Sequence, residues 1–200
     1  MDEVIADTVS AWLARYQQEF AIALAPAALR GRKVVDAVDP GHALAVRAFL
    51  DEPEFFADLP LMEGSKEVLQ QLNQHYEIFV TTAAMDHPNS FRAKYHWLQR
   101  NLPFLSDRQY VFCGSKSVIR ADYMIDDNPY NLEVFNGQKI LYTAHHNIGI
   151  QDRDFVRVSS WQDIFDFFLM EADHDLESAE LHPPQQSLRP DRFSTSNCGV

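Results

Sequence analysis

The chain has 200 residues, 46% hydrophobic and 12% aromatic, enough for one domain, or a domain with a small insertion, and for a sizeable core. That composition excludes wholesale disorder and a fibrous repeat. Seventeen Lys and Arg against 29 Asp and Glu leave a net charge of −12. This opposes non-specific attraction to nucleic acid or anionic membranes, so a nucleotide partner has to be small. The two cysteines, Cys113 and Cys198, have neither metal-knuckle nor disulfide-framework spacing and fit a reducing compartment. No apolar run approaches 20 residues, and the start lacks a basic segment followed by an apolar stretch, so a cytoplasmic protein with no membrane partner is expected.

Apolar residues from Val9 to Ala25 recur at three- and four-residue steps (Trp12, Leu13, Tyr16, Phe20), which predicts a helix with one buried face. Residues 26–62, broken at Pro26, Gly31, Pro40-Gly41 and Pro53, read as a small helical insertion. From Gly64 helix and strand alternate. The pattern predicts a helix through SKEVLQQLNQ, a strand YEIFVTT, a loop AAMDHPNS, a helix FRAKYHWLQRNL and a strand YVFC. There follow a loop with a short helix in GSKSVIRA, a strand DYMIDD, a turn at Asn128-Pro129, a strand KILYTA and a helix from Trp161 to Met170. Near-continuous apolar strands between helices argue for a doubly wound α/β fold with a parallel sheet, whose ligands sit at the strands' carboxyl ends. The expected division is a core of 1–25 and 63–172, a cap of 26–62, and a polar C-terminal tail of 173–200 without fixed structure.

Three strand ends carry polar residues with a shared purpose: Thr81-Thr82 after YEIFV, Asp126-Asp127 after YMI, and the start Met1-Asp2-Glu3 if a strand precedes it. Asp126-Asp127 end an apolar strand, and two adjacent carboxylates are costly there unless a cation or proton neutralises them, which suggests a hard ion such as Mg²⁺. The competing reading makes them part of a turn, or a helix cap, with Asn128-Pro129. Thr82 ends the strand YEIFV before a loop and helix, a geometry suited to phosphate, although Thr is also an ordinary strand residue. Lys94 on the next helix and Lys116 after YVFC can face the same pocket, and together with the acids would place an anion site beside a metal.

The segments DEVIADT, VTTAAMDHPNSFRAKYHWL and FCGSKSVIRADYMIDDNPYNLE resemble the haloacid dehalogenase-like phosphatases, and within them the 5′(3′)-deoxyribonucleotidases, bacterial members included. The likeness runs from Met1 to about Leu169. It implies a Rossmann-like core with a helical cap, Mg²⁺ and an aspartyl-phosphate intermediate on a nucleoside monophosphate. It further implies Asp2 as general acid/base whose main-chain carbonyl binds the metal. Thr82, Ala83, Lys94 and Lys116 are implied as phosphate contacts, and Asp126 and Asp127 as the acidic pair with at least one metal ligand. The motif's first Asp, the nucleophile, would lie immediately before Met1, and so would the central strand leading into it. An upstream start, or a catalytically silent phosphate- or nucleotide-binding relative, accommodates this; separately, since the fold hosts many substrates, a phosphatase for another small phosphoester is an alternative.

The remaining features have plainer expectations. The cap stretch Gly31-Arg32-Lys33-Val34-Val35 has no aromatic to stack on a base, leaving Phe49, Phe55 or Phe56 for that task. His87 is placed near the pocket. His145-His146 lack a third ligand for a metal site. Trp12, Trp97 and Trp161 are expected to pack, and a homodimer stays open.

Overall fold

The computed structural model describes residues 1–151 and 154–181, with side chains as far as Glu171. The chain divides into two units, Met1–Phe165 and Asp166–Val200.

Helix α1 (Thr8–Phe20) opens at Asp7, whose carboxylate accepts from the backbone N–H of Ser10 at 2.8 Å, and closes on left-handed Ala21. It stops five residues short of the predicted Ala25, at the left-handed turn of Ala21, and Ala25 itself is extended (ψ 139°) ahead of Pro26. Residues 26–62 hold only short helical pieces, among them α2 (Val34–Ala37) and α3 (Ala43–Ala48). Their buried Leu29, Val34, Val38, Val46 and Phe49 form one core with Tyr16 of α1, so the insertion is anchored on the first helix.

Helix α4 (Ser65–Leu72) and helix α5 (Phe91–Asn101) fall where the sequence places them. Strand β1 (Val80–Thr82) pairs in parallel with β2 (Tyr110–Phe112), and α5 makes the crossover between them. Strands β3 (Tyr123–Asp126), β4 (Gln138–Tyr142) and β5 (Val156–Val158) form a second parallel sheet in that order. The architecture is α/β with parallel strands and helical crossovers. Among the described residues the strands form two sheets, of two and three strands. Strand β1 is short: the predicted run from Tyr76 is laddered only over Val80–Thr82, opposite β2.

Between β3 and β4 lies α6 (Pro129–Glu133), a helix where a turn was expected. Asn128 caps it by accepting from the Tyr130 N–H at 3.2 Å, and Pro129 holds the first helical position. Met124, Leu132, Phe135 and Leu141 pack together beneath it. Strand β5 was not foreseen; it is three residues long, and Arg157 interrupts its apolar pattern.

Helix α7 (Trp161–Leu181) passes the predicted end at Met170. Residues 173–181, expected to lack structure, are helical, since Ala172, Leu176, Glu177, Ala179 and Glu180 all favour helix and no Gly or Pro intervenes before Pro183. The rest of the expected tail, 182–200, lies outside the described residues. No helix among the described residues is long and apolar enough to cross a membrane.

Candidate active site

Residues 1–7 form a tight loop at the head of α1. Met1 O accepts from the N–H groups of Ile5 (2.8 Å) and Ala6 (3.2 Å), and Glu3 N–H donates to Ala6 O at 2.9 Å. Glu3 sits at φ +56°, a strained backbone for a residue with a Cβ. Its carboxylate is compensated by accepting from the Val9 N–H at 2.8 Å, one of the unpaired donors at the start of α1. Trp161, buried, donates its indole N–H to Val4 O at 2.7 Å and pins the loop from the other side. These bonds fix Asp2, and the Met1 nitrogen donates to Thr81 O at 3.1 Å, which ties the loop to β1.

Two cation–carboxylate pairs meet there. Lys94, brought in by α5, donates from Nζ to Asp2 Oδ2 at 2.7 Å and to Thr82 Oγ1 at 3.1 Å. Lys116 donates to Asp126 Oδ2 at 2.6 Å. Thr82, Lys94, Lys116 and Asp126 are all buried. Burial acts to raise the Asp2 pKa, but the Lys94 ammonium and the other nearby cations outweigh it and hold Asp2 below the usual carboxylate range. The same balance holds at Asp126, where Lys116 and the Asn128 N–H overcome burial. Lys116 is in turn held above the ordinary lysine value, its burial more than offset by Asp126.

Asp127 is different. Burial first, then the Asp126 charge, push it up to about 7. Its contacts come from the loop after β4: His146 Nε2 lies 3.2 Å from Asp127 O and 3.4 Å from Oδ2, and Asn147 donates from Nδ2 to Asp127 O at 2.7 Å. Ala83 follows Thr82 and is half-buried, its carbonyl accepting from the Asp86 N–H at 3.3 Å.

A cavity of about 250 Å³ opens against this cluster. Trp12, Leu29, Val34, Val35, Leu50 and Phe56 supply an apolar wall, Arg32, Lys33, His145 and His146 a basic one, and Asp2, Glu3, Thr8 and Val9 the remainder. Asp2 is the residue shared between the cavity and the buried pairs; Thr82, Lys94, Lys116, Asp126 and Asp127 do not line it. Of the three cap phenylalanines, Phe56 is on the wall, with Lys94 Nζ 4.2 Å from its ring centre. Phe49 is buried in the cap core beneath the Arg15 guanidinium, and Phe55 packs edge-on to Trp12.

Residues 1–174 match the family model described as 5′ nucleotidase, deoxy (pyrimidine), cytosolic type C protein. The chain belongs to this nucleotidase family. A provisionally named 5′(3′)-deoxyribonucleotidase of Staphylococcus epidermidis is 44% identical over 168 residues, 84% of this chain and 92% of the relative. One from Staphylococcus aureus is 43% identical over 169 residues, again 84% and 92%. The 5′(3′)-deoxyribonucleotidase of Bacillus subtilis is 43% identical over 111 residues, 56% of this chain and 63% of that protein.

Membership in the nucleotidase family places the chain among the haloacid dehalogenase-like hydrolases and implies a divalent metal. The donors present fit a hard cation, being oxygens. Asp126 is already engaged by Lys116, by the Asn128 N–H (2.9 Å) and by Asn131 Nδ2 (3.1 Å). Asp127 is the half-buried carboxylate of the pair, which no Lys or Arg engages as closely as Lys116 engages Asp126. Among the described residues no three His, Cys, Asp or Glu side chains converge on one point.

Several residues of this candidate site carry little signal in the sequence. Trp12 was expected only to pack, yet it lines the cavity while donating its indole N–H to Val46 O at 2.8 Å. His146 and Asn147 touch Asp127, for which the only signal was their place after a strand. His87, by contrast, pairs with Asp51 at 2.9 Å and is not on the cavity wall. Trp97 packs as expected, fully buried with its indole N–H on Leu59 O at 2.8 Å.

Proposed function

We propose that this chain builds the pocket of a cytoplasmic, Mg²⁺-dependent phosphomonoesterase that hydrolyses nucleoside monophosphates, deoxyribonucleotides among them, through an aspartyl-phosphate. The observation that carries it is the double membership of Asp2, bonded to Lys94 beside Thr82 and also exposed on the wall of a mostly apolar cavity. A phosphoryl group seated at Thr82, Lys94 and Lys116 would leave the nucleoside in that cavity. The family and the names of its relatives support the same substrate class.

In this reading the Lys94 and Lys116 ammonium groups and the Thr82 hydroxyl hold the phosphoryl oxygens, a task that needs fixed charge more than covalent chemistry. The main-chain carbonyl of Asp2 and the carboxylate of Asp127 would hold the metal, which when bound would supply charge neutralisation for the phosphoryl group, while Asp126 keeps Lys116 in place. An aspartate directly ahead of Met1 attacks phosphorus and the ester bond to the nucleoside oxygen breaks. Asp2, ionised in the free chain by its pairing with Lys94, takes up a proton when the phosphoryl dianion engages Lys94 and adds its own negative charge, and then gives that proton to the leaving oxygen. The same carboxylate then takes a proton from the water that splits the acyl phosphate.

The test is phosphate release from deoxynucleoside monophosphates with Mg²⁺, by the chain extended with that aspartate and an apolar strand. Release that Asp2→Asn abolishes supports the reading. Tight nucleotide binding without release points instead to a silent binding protein, and release from small phosphoesters alone to another substrate.

A further inference from the structure

The acidic strand end is held by a second set of residues that has no place in the chemistry above. Asn147 is fully buried and every polar atom of its amide is used. Nδ2 donates to Asp127 O at 2.7 Å and to Tyr142 O at 2.8 Å, while Oδ1 accepts from the Ala144 N–H at 3.1 Å and from Arg157 Nη1 at 3.2 Å. Tyr142 is the last residue of β4, and Arg157 lies in the middle of β5. Arg157 is itself fixed, donating from Nη2 to Ile150 O at 2.8 Å. One side chain thus joins the residue after β3 to the carboxyl end of β4, and a guanidinium from β5 determines which way its amide faces.

We propose that Asn147 is a positioning residue for Asp127: its amide ties the Asp127 carbonyl to the end of β4 and so determines where the carboxylate stands for the metal. This rests on the reading of Asp127 as a metal ligand. The Asp127 carbonyl also meets His146 Nε2, at 3.2 Å, and the Asn128 N–H of the same peptide donates to Asp126 Oδ1 at 2.9 Å, so the Asn147 bond, at 2.7 Å, is the shortest contact on that carbonyl. Asp127 lies beyond the β3–β4 ladder, which ends at Asp126 and Leu141, and the Asp126 side chain is bonded back to Asn128 and Asn131. Burial of two adjacent carboxylates favours any rotation that carries Asp127 toward solvent. Donors on its carbonyl oppose that rotation without spending the carboxylate oxygens. Outer partners of this kind commonly set metal affinity as strongly as some ligands do.

Two variants separate the donor half of the amide from the rest. Asn147→Asp keeps an oxygen for Ala144 N–H and Arg157 but loses both donated bonds; Asn147→Ala loses everything. Calorimetric titration of the chain with Mg²⁺ should show affinity falling roughly 10- to 100-fold in both. Electrostatics alone predicts the opposite for Asn147→Asp, because added negative charge near a cation site tightens binding. In the metal-free chain the Asp127 carbonyl ¹³C resonance should move in both variants, while the carbonyl of Leu72 at the end of α4 stays in place, which shows that the fold is intact. Asn147→Asp binding Mg²⁺ within twofold of the parent, or more tightly, overturns the proposal. An unmoved Asp127 carbonyl overturns it as well. A parent chain that binds no Mg²⁺ overturns the metal reading and this role with it, and the carbonyl shift, read without metal, distinguishes that failure from failure of the clamp.

Discussion

Lys94 Nζ stands 2.7 Å from Asp2 Oδ2, and Lys116 Nζ stands 2.6 Å from Asp126 Oδ2, yet the two ion pairs differ in what surrounds them. Asp2 keeps 33% of its side chain open to solvent, whereas Asp126 keeps 1%. Removing the ammonium should therefore cost different amounts. Lys116→Met leaves a carboxylate buried without its cation, at about 3–5 kcal/mol. Lys94→Met should cost only about 1–3 kcal/mol, since water reaches Asp2 and screens it. Urea denaturation of the two variants checks the order. Equal losses would mean that solvent access at Asp2 does not moderate the pair.

Asp127 titrates at about 7, against an ordinary value of 3.8, because it is buried beside Asp126. Its folded pKa lies above the unfolded one, so between these values the folded chain binds more protons than the unfolded chain. Stability from this group is full below pH ~4 and is lost as pH rises through about 7. The urea midpoint of the metal-free chain should accordingly fall between pH 5 and pH 8 by more in the parent than in Asp127→Asn. A cation must displace the same proton, so Mg²⁺ affinity should rise over that interval. A parent and variant with parallel pH profiles would remove Asp127 from this account.

Gly137 closes the turn into β4 with backbone pressed against backbone. A Cβ there would run into Asp122 O and lie 2.7 Å from Ala121 O, neither of which is a side-chain end that can swing aside. Gly137→Ala should destabilise the chain by about 1–3 kcal/mol, the usual range for overpacking. Calorimetry should show a lower melting temperature, with the far-ultraviolet spectrum retained. A variant as stable as the parent would mean that the β3–β4 turn yields easily.

The strand ends were legible because their chemistry is local. Thr82 and Asp126-Asp127 follow apolar runs directly, and Lys94 and Lys116 lie in the next element or loop. What brings Asp2 to Lys94 is tertiary: the Met1 nitrogen on Thr81 O and the Trp161 indole on Val4 O span 80 and 157 residues. Strand β5 was hidden because three residues carry little period-two signal, and Arg157 spends its charge on Asn147 inside the sheet's end. Glu3 stands out only as part of the polar start; its bond to the Val9 N–H, from a residue at φ +56°, leaves no pattern in composition or spacing. The extension of α7 to Leu181 follows helix propensity, which a polar composition masked.

Val35 offers a way to separate the cavity from the phosphate cluster. It lies half-buried in the cavity wall, and its apolar side chain can make no hydrogen bond or ion pair with Thr82, Lys94 or Lys116. Val35→Trp adds an indole to a space of about 250 Å³, which would then be too small for a nucleoside but would leave the ammonium groups as they are. Thymidine 5′-monophosphate should bind at least tenfold more weakly, a change of about 1.4 kcal/mol, while inorganic phosphate binds as before. Isothermal titration with both ligands reads the difference directly. Loss of both affinities together would show that the cap wall supports the phosphate site. Unchanged nucleotide binding would place the nucleoside elsewhere and remove the cavity from the proposed function.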